Sequence, residues 1–196
     1  MHFPPEYPCI ETPRLWLRPF APADARIVQL LAGAREIADT TAVIPHPYPD
    51  GAAEAWIATH RAAWEQHQQL TLAITLKTDA ALVGAAGFTF SEEHDRAELG
   101  YWIGVPFWRN GLATEAAGAL VDFGFRVLGL QRVQAQHFAR NPPSGHVLLK
   151  LGMKREGLAL RAFKKNGRYE DLVGYGILRR DWPGCGSTPP FAARPR

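Results

Sequence analysis

The stretch Glu98-Leu-Gly-Tyr-Trp-Ile-Gly-Val-Pro-Phe-Trp-Arg-Asn-Gly-Leu-Ala-Thr-Glu115 decides the fold. Leu99, Tyr101, Ile103 and Val105 alternate as one face of a strand requires. Pro106 has no N–H to give a ladder, so the strand is expected to end there. Gly111 frees the backbone for a tight turn, and Ala113-Thr-Glu-Ala-Ala117 opens a helix-forming run. A short loop feeding a helix leaves the first N–H groups of that helix unpaired, at the positive end of its dipole. Such a terminus suits a phosphate or a diphosphate.

On the N-terminal side, Leu70–Lys77 and Leu82–Phe90 read as strands parted by the polar turn Thr78-Asp79. Gly84 and Gly87 mark a bulge or a close backbone approach in the second of them. Ser91–Asp95 is a turn. Before these strands, Ala53, Trp56, Ile57, His60, Ala63 and Trp64 have helical spacing, with Asp50 as the expected cap. Pro45-His-Pro-Tyr-Pro-Asp50 excludes a helix and must be a loop. Pro22–Leu31 reads as a helix with Ile27, Leu30 and Leu31 on one face, ended at Gly33, and Leu15–Arg18 as a strand closed by Pro19.

On the C-terminal side, a helix is expected from Leu112 to Leu128, stopped by Gly129, and Arg132–Phe138 is a strand. Asn141–Gly152 is a helix with Asn141 at the N-cap, Pro142 at the first helical position and Gly152 just past the end. Asn166-Gly167 joins Met153–Lys164 to Arg168–Leu178 as a hairpin. The order β-α-α-β-β-β-α-β-α-β-β places helices on both faces of a mixed sheet. A ligand belongs at the C-terminal end of a strand that feeds a helix.

A chain of 196 residues, 46% apolar and 21% charged, suits one soluble domain. The domain is expected to span 11–182, with 1–10 and 183–196 as loose terminal segments. A net charge of +3 is too diffuse to argue for direct nucleic-acid binding, but suits an anionic ligand. Cys9 and Cys185 make no CxxC, and the seven histidines have no metal spacing, so no metal is expected. No apolar run approaches the ~20 residues of a membrane span, and the N-terminus lacks signal-peptide character. The expected setting is cytoplasmic and reduced, without a membrane partner.

Five segments, in order, resemble the GNAT superfamily of acetyl-CoA-dependent N-acetyltransferases, and more narrowly its RimJ/RimL-like branch. They are Glu11–Phe20, Pro45–Ile57, Glu98–Glu115, Asn141-Pro-Pro-Ser144 with Lys150-Leu-Gly-Met153, and Asn166–Asp171 running on to Trp182. The resemblance implies an α/β GNAT fold: a mixed, mostly antiparallel twisted sheet of about seven strands, helices on both faces, and splayed central strands. It implies that acetyl-CoA lies against Ile103, Val105, Arg109, Asn110, Gly111, Leu112, Ala113, Thr114, Asn141 and Lys150. The family loop is Gln/Arg-x-x-Gly-x-Gly/Ala; here Trp108 opens it and Arg109 stands where a glycine is common. Where the wider superfamily often has a tyrosine as general acid, this chain has Leu148, which leaves Ser144 as the nearest candidate.

Acetyl transfer needs a held donor, a neutral amine, a polarised carbonyl and a thiolate that can leave. A backbone N–H in the strand gap can serve the developing oxyanion. A protein α-amine titrates at about 7.7–8.0 and a lysine near 10.4, so an α-amine tolerates a weak base. Glu98, facing opposite to Leu99, fits that base through a water, and Ser144 fits a donor to the departing sulfur. His46, Tyr48, Tyr169 and Asp171 are candidates for contact with the acceptor. Each has a plainer reading: Glu98 as a surface carboxylate, Asn141 and Ser144 as helix-end residues, Tyr101, Trp102, Trp56 and Trp64 as core, Pro45–Asp50 as a loop packed on the sheet. The acceptor is read first as a protein N-terminus. The alternatives are a small amine (an aminoglycoside, a polyamine or an amino acid, with Glu92, Glu93 and Asp95 as a weak acidic cluster) or a non-catalytic acyl-CoA-binding regulatory domain. Edge strands of this fold leave a homodimer open.

Overall fold

A computed structural model describes residues 1–184. Cys185 and nearly all of the expected C-terminal tail lie outside the described residues. Eight strands form one mixed sheet: β1 (Ile10–Glu11), β2 (Leu15–Arg18), β3 (Gln69–Leu76), β4 (Leu82–Ser91), β5 (Arg96–Ile103), β6 (Arg132–Phe138), β7 (Lys154–Lys165) and β8 (Arg168–Leu178). Their order is β1-β2-β3-β4-β5-β6-β8-β7. Every neighbouring pair is antiparallel except β5 and β6. The strand beyond the expected seven is β1, a two-residue piece pairing Ile10 with Leu17.

Five helices complete the fold: α1 (Ala25–Ala32), α2 (Arg35–Thr40), α3 (Ala52–Glu65), α4 (Leu112–Arg126) and α5 (Pro142–Lys150). On one face, Leu120, Phe123 and Phe125 of α4 pack with Phe88, Leu99 and Val133 of the sheet. On the other, Val28 of α1 and Ile57 of α3 cover Ala73, Ala85 and Trp102. Full burial of a side chain such as Phe123 contributes about 1.5–3 kcal/mol. No helix among the described residues is long and apolar enough to cross a membrane.

The parallel pair carries the functional architecture. Helix α4 crosses between β5 and β6, as a parallel connection requires. The two strands pair over three rungs only: Arg96 with Arg132, Ala97 with Val133, and Glu98 with Gln134. Past Glu98 they part, although β5 continues to Ile103 and β6 to Phe138. The central strands are splayed.

Several local expectations are corrected. The buried stripe of α1 is Ala25, Val28, Leu31 and Ala32, whereas Ile27 and Leu30 are 40% and 71% exposed, because the helix proper starts at Ala25 after a 3₁₀ turn over Pro22–Asp24. Asp50 does not cap α3. Gly51 does, at φ 76°, and Asp50 accepts the Gln29 side-chain amide at 2.7 Å. Strand β5 ends at Ile103, so Val105 lies in a 3₁₀ turn over Val105–Phe107. Segment 1–10 is not loose. Phe3 packs edge-on against Trp64 and Phe90, and the Tyr7 hydroxyl donates to the Thr71 carbonyl at 2.9 Å. Helix α2 was not legible, its six residues being too few to show a period. The hairpin turn holds as expected, with Asn166 at φ 49° and Gly167 at φ 80°, the left-handed pair a two-residue turn of this kind needs.

Candidate active site

Helix α4 begins at the mouth of the strand gap. Gly111 is its N-cap at φ 74°, and no side chain caps the helix. The first intrahelical bond runs from the Glu115 N–H to the Gly111 carbonyl, 3.1 Å. The N–H groups of Leu112, Ala113 and Thr114 therefore have no partner from their own helix. Arg109 occupies the left-handed region too, at φ 64°. An arginine thus adopts the conformation for which a glycine is ordinarily chosen, and its side chain is exposed. Asn110 shapes the turn: its side-chain amide donates to the Phe107 and Trp108 carbonyls, each at 3.3 Å. The uncapped terminus and two left-handed residues in three fit a diphosphate.

Two residues that sequence reasoning missed brace this loop. The Arg14 guanidinium donates to the Asn110 carbonyl at 2.9 Å and to Glu115 at 2.6 Å. Glu115 also accepts the Thr12 hydroxyl at 2.7 Å and the Arg14 N–H at 2.8 Å. Burial pushes the Glu115 carboxyl up, but the Thr12 hydroxyl and the Arg14 N–H and guanidinium together outweigh it, so it titrates below the usual carboxylate range. Both residues lie inside quoted motifs, yet nothing in a linear pattern says that residues 101 apart touch.

The gap itself offers backbone. The Gly104 N–H donates to the Val83 carbonyl, and β5 pairs with β4 in register Ile103 to Gly84. Antiparallel alternation then turns the N–H and C=O of Tyr101 and Ile103 toward β6, into the opening. The Trp108 indole N–H donates to the Ile103 carbonyl, which occupies one of these groups. The Val105 carbonyl accepts the Trp108 N–H inside the 3₁₀ turn, so Val105 does not extend the strand edge.

Helix α5 follows β6 across the same opening. Asn141 is its N-cap residue, but its side chain makes no capping bond. The Ser144 hydroxyl lies 3.0 Å from the Tyr101 hydroxyl. Lys150 is at the other end of α5, about 9 Å along the axis from Ser144 by helical rise, where it complements the helix dipole.

Glu98 stands on the opposite face. Ala97 and Leu99 pack on the α4 side and Trp102 on the α1–α3 side, so Glu98, Gly100 and Trp102 share the latter face. Glu98 is the last residue of β5 paired with β6, which puts its carboxylate at the apex of the opening. Gln136 donates an amide N–H to it at 3.0 Å, and Gln134 approaches at 3.5 Å. Beside Glu98 this face has two positions without side chains. Gly100 on β5 and Gly174 on β8 would each meet nothing within 4 Å if given a Cβ.

The acceptor candidates divide. The His46 ring Nδ1 lies 3.1 Å from the Gly33 carbonyl, and Tyr48 packs into the α1–α3 core, so their loop is pinned to the end of α1. Burial, then the nearby Glu54, push the Tyr48 phenol up. The Tyr169 ring meets the cations of Arg161 and Lys164, at 4.4 and 5.3 Å from its centre. Asp171 accepts the Arg161 N–H at 2.7 Å, anchoring a bulge of β7 in which Arg161 has φ 52°. The hairpin tip reaches the first loop: the Lys165 ammonium donates to the carbonyls of Ala38, Thr41 and Ile44, the last at 2.9 Å. No group of residues among those described has a metal-binding arrangement.

A sheet split after three parallel rungs, with an uncapped helix terminus at the split, fits a coenzyme A-dependent acyltransferase. The chain belongs to the GNAT acetyltransferases: the family described as "Acetyltransferase (GNAT) domain" matches residues 14–154. It is 31% identical over 174 residues to an uncharacterized N-acetyltransferase, YoaA, of Bacillus subtilis (strain 168), covering 88% of this chain and 98% of that one. It is 28% identical over 142 residues to the [ribosomal protein uS5]-alanine N-acetyltransferase of Escherichia coli K12, covering 70% and 71%. A spermidine N(1)-acetyltransferase of the same organism is 32% identical over 96 residues, covering 49% and 52%. In fold it resembles Mycobacterium smegmatis RimJ, solved with a CoA-disulfide, at a TM-score of 0.82, with 24% identity and 93% and 92% coverage. The protein is an acetyl-CoA-dependent N-acetyltransferase, and acetyl-CoA is its co-substrate.

Proposed function

We propose that this enzyme acetylates the α-amine of a polypeptide N-terminus by direct transfer within a ternary complex. The observation that carries the reading is the position of Glu98 on a sheet face that two glycines leave open. Its carboxylate sits at the apex of the split, with the side-chain-free positions Gly100 and Gly174 on the same face. Glycine in a strand admits a second backbone closely, so an extended chain end has room to reach the opening. A single carboxylate acting through a water is a modest base. It suffices for an α-amine of pKa about 8 and is poorly matched to a lysine near 10.4.

In this reading the amides of Leu112, Ala113 and Thr114, with Arg109 and Gly111, hold the diphosphate, while Asn110 keeps the loop in shape. Asn141 and the free backbone of the β5 edge hold the pantetheine arm. Ser144 donates a hydrogen bond to the departing sulfur, and Glu98 receives the amine proton by way of a water. His46, Tyr48, Tyr169 and Asp171 shape the acceptor end through the loop and bulge they fix. Lys150, in the last turn of α5, adds a positive charge for the cofactor. The ribosomal-protein relative supports a polypeptide acceptor. The spermidine relative supports the second reading, a polyamine, which the exposed Glu92 and Glu93 beside β4 would attract.

Thiol release from acetyl-CoA, measured against peptides with a free α-amine, the same peptides N-terminally blocked, spermidine and free amino acids, decides between them. Turnover confined to the free α-amine is the expected result. Faster turnover of spermidine, or equal turnover of blocked lysine-containing peptides, would overturn the assignment. Calorimetric binding of acetyl-CoA with no transfer to any amine would favour a regulatory domain.

A further inference from the structure

A serine in the first turn of a helix ordinarily gives its hydroxyl to its own helix. Ser144 does not follow that habit. Its Oγ lies 3.0 Å from the Tyr101 Oη, and its carbonyl oxygen lies 3.1 Å from the same Oη. Tyr101 is on β5 and Ser144 is on the helix after β6, so the pair spans the split on the face opposite Glu98.

A phenol has one proton, and a carbonyl can only accept. Two proton arrangements are open, and only the first satisfies both contacts. In the first, Tyr101 donates to the Ser144 carbonyl, and the serine hydroxyl donates to Oη. In the second, Tyr101 donates to Oγ, and the serine proton is released to point elsewhere. Only the second presents a donor to a sulfur leaving through the split.

We propose that Tyr101 is a positioning residue for thiolate departure, turning its hydroxyl from the Ser144 carbonyl to the Ser144 Oγ so that the serine proton faces the sulfur. This rests on the reading of Ser144 as the group beside that sulfur. It gives the chain an aromatic hydroxyl for the leaving group from the neighbouring strand, where Leu148 offers none. Burial, only partly offset by the bond to Ser144, pushes the phenol up to about 12, so Tyr101 keeps its proton at neutral pH and remains a donor. The seat is firm. Next to Ser144, a Cβ on Gly145 would fall 2.6 Å from the His137 Nε2 and 2.9 Å from the Tyr175 Oη, so the first turn of α5 rests directly on these two buried side chains.

The step balances without ionising either hydroxyl. The amine nitrogen bonds to the acetyl carbon, and the C–S bond breaks with its electron pair on sulfur. The surplus amine proton leaves on the Glu98 side to solvent. Ser144 gives the thiolate a hydrogen bond rather than a proton, and the thiolate is protonated from solvent afterwards.

The test is a double-mutant cycle of Y101F, S144A and the combined variant, each checked for a native melting transition. Y101F keeps the ring and removes the hydroxyl. It is expected to lower kcat about tenfold with KM for acetyl-CoA changed less than about twofold, a fraction of the loss typical when a donor to developing charge is removed. S144A is expected to lose at least as much, and the combined variant no more than S144A, since groups acting as one unit are not additive. A combined loss equal to the product of the single losses would give Tyr101 a role independent of Ser144 and overturn the inference. So would a normal kcat in Y101F beside a slow S144A. An unimpaired S144A would instead remove the reading of Ser144 on which the inference stands, and the inference with it.

Discussion

The Glu115 carboxylate accepts the Arg14 guanidinium at 2.6 Å, and the same guanidinium reaches the Asn110 carbonyl at 2.9 Å. The loop before α4 is therefore held from outside, by the chain entering β2. A turn with Arg109 and Gly111 both at positive φ needs such support, because its conformation is not the one its sequence would choose unaided.

Glu115→Ala should release that support. Charge-assisted hydrogen bonds contribute about 1.5–3 kcal/mol, and the half-exposed Arg14 brings the expected destabilisation to about 1–2 kcal/mol. Acetyl-CoA affinity should fall severalfold, while KM for the acceptor stays put, as calorimetry and steady-state kinetics would report. The pH dependence has a definite sign. The folded carboxyl titrates below its unfolded value, so its stabilisation is present above the unfolded pKa and is lost as pH falls through the folded one. Wild type should therefore lose its advantage over the variant on the acid side.

Arg109→Gly separates conformation from charge. Relieving a left-handed non-glycine residue should stabilise the fold by about 1 kcal/mol in chemical denaturation. If the guanidinium contributes to phosphate binding, acetyl-CoA should bind more weakly at the same time, and the loss should shrink at high salt. A more stable variant with unchanged affinity would leave the diphosphate to the backbone amides alone.

Buried His60 has both ring nitrogens unpaired among the described residues, between Phe20 and Trp56 at 5.3 and 4.4 Å. Burial pulls its pKa down to about 4. The folded form thus binds fewer protons than the unfolded chain between pH 6.5 and 4, and stability should fall as pH is lowered through that window. After allowance for solvent screening the effect is on the order of 2 kcal/mol. His60→Phe should flatten the melting-temperature profile there; an identical slope in the variant would show that other groups dominate.

The sheet, α4, α5 and the hairpin were legible because each carries its own local signal: alternation, caps, Asn166-Gly167. The loop before α4 was legible for the same reason, since its turn and helix start are written in consecutive residues. The residues that were not legible act across the chain. Arg14 meets Glu115, Tyr101 meets Ser144, and Lys165 meets Ile44 through contacts that only the folded topology creates. Tyr101 also looked like core because its ring does pack there, and only the hydroxyl reveals another use. On α1, Ile27 and Leu30 misled because apolar spacing shows that a face exists without showing which face the sheet will cover.

Lys165 ties the hairpin tip to the segment that follows α2. Its ammonium draws together three carbonyls, Ala38, Thr41 and Ile44, and so ties the β7–β8 turn to the segment between α2 and the Pro45–Asp50 loop. Burial lowers its pKa, with Asp39 opposing, so the folded chain holds this proton less tightly than the unfolded one, and stability rises as pH rises through the folded value. Lys165→Met keeps the stem and deletes the donors, leaving three carbonyls to find water. KM for a peptide acceptor should rise severalfold, KM for acetyl-CoA should not move, and amide exchange over residues 41–50 should quicken. Arginine should not substitute fully, because a planar fork cannot converge three donors on one point as an ammonium does. Faster exchange with an unchanged acceptor KM would make Lys165 a purely structural tie and place the acceptor elsewhere on the open face beside Glu98.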